Sequence, residues 1–136
     1  MMRIAFGTDE ISSLTEGIRS AIAARGHEVI VVGDGAAWPD VGRAVGEAVA
    51  AGSVDRGVVC CWTGTGVSMA ANKVEGVRAA LCTDAETARG ARRWNDANVL
   101  ALGLRLTSAE VANEMLDAFL ETEADPDEAG EIGKLR

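Results

Sequence analysis

Histidine and aromatic side chains are scarce in this chain of 136 residues, which has three Trp, two Phe, no Tyr and a single His. One histidine excludes a His-rich metal centre and any mechanism that needs two imidazoles. Positive charge is also short. Thirteen Lys and Arg stand against 21 Asp and Glu, a net charge of −8, so the chain lacks the basic face that nucleic acid requires. No apolar run approaches the length of a membrane span, and no cleavable apolar segment opens the chain. The three cysteines make an odd count, and Cys60 and Cys61 are adjacent, too close for a relaxed disulfide. A reducing, cytoplasmic setting is the expectation.

What remains is an ordinary soluble composition, 48% hydrophobic and 25% charged, enough for one domain with its own core. The acid is uneven. Glu121, Glu123, Asp125, Asp127, Glu128 and Glu131 face only Lys134 and Arg136, so half of the net charge sits at the end. A domain over 1–121 and an acidic, solvated tail over 122–136, able to reach a partner subunit, are expected.

Along the domain, short β-branched runs alternate with Ala-rich amphipathic stretches. Strands are predicted at 3–6, 28–32, 57–61, 77–81 and 98–101, and helices at 11–25, 40–51, 68–73, 84–93 and 108–120. Regular alternation of this kind implies an α/β protein with a parallel sheet covered on both faces, a three-layer, Rossmann-like α/β/α arrangement. In such open sheets ligands bind beyond the carboxyl ends of the strands. That rule selects residues 7–10, 33–40, 62–66, 83–84 and 102–105.

The sharpest segment is Cys60-Cys-Trp-Thr-Gly-Thr-Gly-Val-Ser-Met-Ala-Ala-Asn-Lys73, a strand, a glycine turn and a helix start. Gly64 and Gly66 permit backbone conformations closed to other residues, and free N–H groups at a helix start can hold an anion or a developing oxyanion. A plain tight turn is the equal alternative. The segment is neither a dinucleotide fingerprint nor a P-loop, because Met69 stands at the third glycine position and no Gly-Lys-Ser/Thr follows. The positive end of a helix stabilises negative charge, so Cys61 is a candidate nucleophile or general base, against the alternative of a buried inert thiol. Cys60 and Cys82 are read as inert. Asp9 either caps the first helix or faces a ligand. Trp38 either walls a pocket or covers the sheet edge. Arg92 and Arg93 complement a helix C-terminus, with anion binding as the second reading, and Arg105 lies where a charged ligand group would be met.

These segments together resemble the ribose-5-phosphate isomerase type B family, which includes the galactose-6-phosphate isomerase subunits. The resemblance runs from about Arg3 to Leu120. It is carried by Ile4-Ala-Phe-Gly-Thr-Asp9, Pro39-Asp40, Thr63-Gly64 through Ala70-Ala-Asn-Lys73, Gly76-Val-Arg-Ala-Ala80 and Asn95 through Gly103 with Arg105. It implies a five-stranded parallel α/β/α sandwich and a homodimer, or dimer of dimers, with active sites between subunits. It also implies a metal-free, cofactor-free aldose–ketose isomerisation of a sugar phosphate through a cis-enediolate. Cys61 matches the catalytic base, Thr63 the proton-relaying hydroxyl, and Gly64, Thr65 and Gly66 the enediolate cradle. Asp9 matches the carboxylate for sugar hydroxyls, Asn95 an oxygen-holding amide, and Arg105 a phosphate ligand. A subtype with a Glu base has it where this chain carries Val67.

The departures from the family are as informative. Glu10 and Trp94 stand where the family has histidines, the second of them the ring opener, and Trp62 stands where it has glycine; all three are counted with the substrate-binding residues. The sole histidine, His27, falls at the wrong end of the sheet. Acidic residues occupy the region of the family's C-terminal arginines. Without a ring opener, a short or already open-chain substrate is implied, since erythrose 4-phosphate cannot close a furanose through its phosphorylated oxygen. The alternative is a non-catalytic partner subunit or sugar-binding protein, with Trp62 and Trp94 filling the pocket.

Overall fold

Five parallel strands form one sheet in the order β2-β1-β3-β5-β4. The computed structural model describes residues 1–135. The strands are β1 (Arg3–Thr8), β2 (Glu28–Val31), β3 (Arg56–Cys61), β4 (Ala79–Leu81) and β5 (Val99–Gly103). The helices are α1 (Ser13–Ala24), α2 (Trp38–Ala50), α3 (Thr65–Asn72), α4 (Ala85–Asn95), α5 (Ala109–Glu121) and a short α6 (Ala129–Ile132). No helix among the described residues is long and apolar enough to cross a membrane.

Side chains alternate across each strand, so the two faces carry separate cores. Val58 and Cys60 of β3 pack with Ile18, Ile22, Ala88, Leu116 and Phe119 from α1, α4 and α5. Val59 and Cys61 pack on the other face with Val41, Val45, Val67 and Ala71 from α2 and α3. The expected three layers are present. Because β2 and β3 flank β1 on opposite sides, the chain leaves β1 and β3 in opposite directions, which opens a crevice at their carboxyl ends.

Several element ends differ from expectation, each for a local reason. Helix α1 starts at Ser13 rather than Ile11, because Ser12 and Thr15 cap each other reciprocally. Asp9 is therefore not its cap. Helix α2 starts at Trp38, with Pro39 in its first turn, where proline is preorganised. Strand β4 is shorter than the run 77–81 because side chains take the backbone groups before it. Asn98 Oδ1 accepts from the Arg78 N–H at 2.7 Å, and Asn98 Nδ2 donates to Gly76 O at 3.0 Å. Asn72 instead engages Ala79, the first residue of β4, accepting at 2.8 Å and donating at 2.9 Å.

The acidic end is not a free extension. After α5 it makes a 3-10 turn over Pro126–Glu128 and the helix α6, and Asp125 N–H donates to Arg93 O at 2.8 Å. Two buried arginines hold this return. Arg92, 3% exposed, donates to Thr122 O at 2.9 Å, Ala97 O at 2.7 Å and Asp96 Oδ1 at 2.8 Å. Arg56 donates to Phe119 O and lies 5.7 Å from that ring's centroid. Burial and the charge of Arg92 lower Arg56 from its ordinary value, while Glu123 and two aspartates raise it. Removing a partner from a buried charged network strands the others. Arg92→Ala is therefore expected to lose about 3 kcal/mol in urea unfolding, and the exposed Arg93→Ala less than about 0.5 kcal/mol.

Candidate active site

The crevice is built where β1, β3 and β5 end. Leu104 N–H donates to Cys61 O at 3.0 Å and Arg105 N–H to Trp62 O at 2.9 Å, so the β3–β5 pairing runs past the sheet proper. Asp9 N–H reaches Cys60 O at 3.4 Å from the other side. Cys61, Trp62 and Asp9 are thereby gathered at the carboxyl end.

The turn after Cys61 exists because of two glycines in backbone contact. Gly64 sits at φ +79°, in the left-handed region, and a Cβ there would lie 2.8 Å from Gly103 N. A Cβ on Gly103 would lie 2.5 Å from Thr63 O. Gly64 is also the N-cap of α3 and has no side chain to offer its first turn. The N–H groups of Thr65, Gly66 and Val67 are therefore left without a side-chain cap among the described residues, an arrangement able to cradle an anion. Thr63 and Thr65 hydroxyls stand 2.8 Å apart at its mouth.

Trp38 completes the cradle's wall. Trp38, Gly42 and Gly46 lie four residues apart on one face of α2, and the two glycines bring α2 onto α3: a Cβ at Gly42 would meet Val67 O at 2.7 Å. The close approach lays the Trp38 indole on Gly66, where a Cβ would be 2.7 Å from the ring, while 46% of the residue stays exposed. Sequence reasoning left Trp38 between a pocket wall and edge cover. The glycines at i+4 and i+8 were the available signal.

Two carboxylates converge here with unmet demand. Oδ1 of Asp9 and Oδ1 of Asp34 are each buried without a hydrogen-bond partner among the described residues. Such an orphan is unfavourable by about 1–3 kcal/mol, and one at a ligand crevice is suited to accept a hydroxyl. Sequence alone reads Gly33-Asp34-Gly35 only as a strand break; the place of Asp34 beyond β2 is the signal that it reaches the crevice. Both charges also bear on Cys60, whose thiol burial pushes far above its ordinary range, aided by Cys61, Asp9 and Asp34. Cys82 is pushed up to about 11 by burial and by Asp84. Burial thus favours the protonated form of both thiols at neutral pH.

The remaining predicted residues divide. Arg105 is exposed at this end, and its guanidinium has no protein partner among the described residues. Glu10, after β1, is also exposed, with only its backbone oxygen engaged, by the Thr8 hydroxyl at 2.8 Å. Trp62 is 56% exposed, immediately after β3. Trp94 and Asn95 are not brought to the crevice of their own chain. Helix α4 runs antiparallel to the strands, so they lie at the amino end of the sheet, about 16 Å away along a five-residue strand. There Trp94 packs flat on Gly90, and Asn95 lines a groove of about 730 Å³ with Asn72, Lys73, Arg78 and Leu135. Asp96, at φ +48°, instead ties Arg78 to Arg92. His27 also lies at the amino end, accepting the Met2 N–H at 3.0 Å.

Comparison with known proteins shows the family. The Ribose/Galactose Isomerase family model matches residues 4–134. The chain is 41% identical to ribose-5-phosphate isomerase B of Escherichia coli, over 88% of this chain and 84% of that protein. It is 36% identical to D-erythrulose-4-phosphate isomerase of Pectobacterium atrosepticum, over 90% and 85%. Ribose-5-phosphate isomerase B of Clostridium thermocellum superposes with a TM-score of 0.91 at 41% identity, covering 98% of this chain and 94% of that one. The chain belongs to the ribose/galactose isomerase family of sugar-phosphate isomerases.

Proposed function

We propose that this isomerase interconverts an aldose and a ketose phosphate of four carbons, in open-chain form, through a metal-free cis-enediolate. The carrying observation is Cys61, which closes β3 directly under the open amides of α3. Cys61 moves the proton between the two carbons. The Thr65 and Gly66 amides hold the charge that develops on the oxygens, and Thr63 relays a proton between them. The alternative base position is closed: Val67 is fully buried in the α2–α3 core. The orphan oxygen of Asp9 takes a substrate hydroxyl, and Arg105 takes the phosphate.

Substrate length follows from what opens rings. Five- and six-carbon aldose phosphates are stored as rings and need a proton donor to open. The only histidine is held against Met2 at the amino end, and Glu10 and Trp94 offer no imidazole. A four-carbon 4-phosphate needs no such step, and one relative carries an erythrulose 4-phosphate activity in its name.

The separation of Asn95 and Trp94 from the cradle supports a site shared between two copies, each lending its α4 end to the other's crevice. The three free cysteines suit a reducing, cytoplasmic compartment. A coupled assay across four-, five- and six-carbon aldose and ketose phosphates tests the substrate. The four-carbon pair should lead in kcat/KM by at least about tenfold. Ribose 5-phosphate turned over as well or better overturns the four-carbon reading.

A further inference from the structure

Two hydroxyls at the mouth of the cradle form a closed pair, and the second of them has no assigned role for its side chain. Thr63 Oγ1 and Thr65 Oγ1 are 2.8 Å apart, and neither has another hydrogen-bond partner among the described residues. We propose that the Thr65 side chain is a positioning residue, which donates to Thr63 Oγ1 and aims the Thr63 proton at the substrate oxygens. This rests on the isomerase reading above and assigns Thr65 a task separate from its backbone amide.

The geometry favours this for three reasons. Thr63 immediately precedes the left-handed Gly64 and Thr65 follows it as the first residue of α3, so the turn brings the two side chains to one side. A hydroxyl has one proton to give and can accept two bonds. When a charged enediolate oxygen enters the cradle, it is a stronger acceptor than a threonine oxygen. Thr63 then donates to the substrate, and the bond between the threonines survives only with Thr65 as donor. A hydroxyl that accepts one bond is polarised to donate the next more strongly. Both side chains are exposed, so the first turn of α3 does not depend on the Thr65 hydroxyl for packing. The bond instead holds Thr63 in one rotamer, which an isolated exposed threonine does not do.

Thr65→Val removes the hydroxyl, keeps the branched shape and leaves the cradle amide intact. On the best substrate of the panel, kcat is expected to fall about five- to tenfold with KM unchanged, the span of one hydrogen bond. Thr65→Ser should restore it. In a Thr63→Ala background, Thr65→Val should have no further effect on kcat, because its only target is gone. A thermal unfolding midpoint equal to wild type in each variant separates this from a stability effect. Wild-type kcat in Thr65→Val, or an equal fall with and without Thr63, overturns the positioning role while leaving the isomerase standing. No turnover of any phosphate by the wild type overturns the isomerase reading and this role with it.

Discussion

Cys61→Ala is expected to lower kcat by about a thousandfold or more on the best four-carbon substrate, within the range lost when a general acid–base is removed. Stability should fall by only about 1 kcal/mol, since the thiol is one small buried group at the edge of the α2–α3 core. The two other cysteines provide the contrast. Cys60 is fully buried on the opposite face of the same strand, and Cys82 lies in the α1, α4 and α5 core. Alternation along β3 sends neighbouring sulfurs to opposite faces, and only Cys61 is on the face that α3 covers. Cys60→Ala and Cys82→Ala should therefore keep kcat within about twofold, their effect confined to stability. Cys61→Ser sharpens the test. It restores size and hydrogen bonding, yet a hydroxyl in place of the thiol leaves the proton without a usable base, so it should be as inactive as the alanine variant.

Gly103→Ala should produce the second-largest effect, although Gly103 carries no chemistry. Its added Cβ would sit 2.5 Å from Thr63 O and 2.8 Å from Thr63 C. Both are backbone atoms, so relief must come from moving the turn itself. Overpacking of this kind destabilises by about 1–3 kcal/mol. A displacement of the cradle by about 1 Å is enough for a loss near a hundredfold in kcat. The expected result is thus a kcat reduced about a hundredfold in a protein that still folds, measured beside urea unfolding. Gly17→Ala is the control. A Cβ there meets nothing within 4 Å, and alanine in a helix interior stabilises by about 0.5–1 kcal/mol over glycine. Loss of activity in Gly17→Ala, or none in Gly103→Ala, would detach the cradle from its support on β5.

Much of this was legible in the chain because the signals were local. Period-two and period-3.6 patterns placed every strand and the first five helices, and the rule on strand ends selected the segments holding Asp9, Asp34, Trp38, the cradle and Arg105. What was not legible came from side chains acting at a distance. Nothing near Asn98 announces that it takes the backbone groups of Gly76 and Arg78, which shortens β4, or near Asn72 that it engages Ala79 within that strand. The acidic end read as free because Arg56 and Arg92, which it returns to, are remote in sequence. Asn95 was placed with the substrate-binding residues, yet it lies at the opposite pole of its own chain, a separation set by helix direction rather than by spacing. Trp38 was weighed on its own type. Its role comes from Gly42 and Gly46, whose missing side chains let α2 press the indole onto Gly66.

The most direct measurement is proton exchange at carbon. Incubation of the four-carbon ketose phosphate in deuterium oxide with wild-type protein should place carbon-bound deuterium in the aldose product, read by NMR. Cys61→Ala at the same concentration should place none on the same timescale. Deuterium incorporated at the wild-type rate by Cys61→Ala would contradict Cys61 as the base that moves the proton.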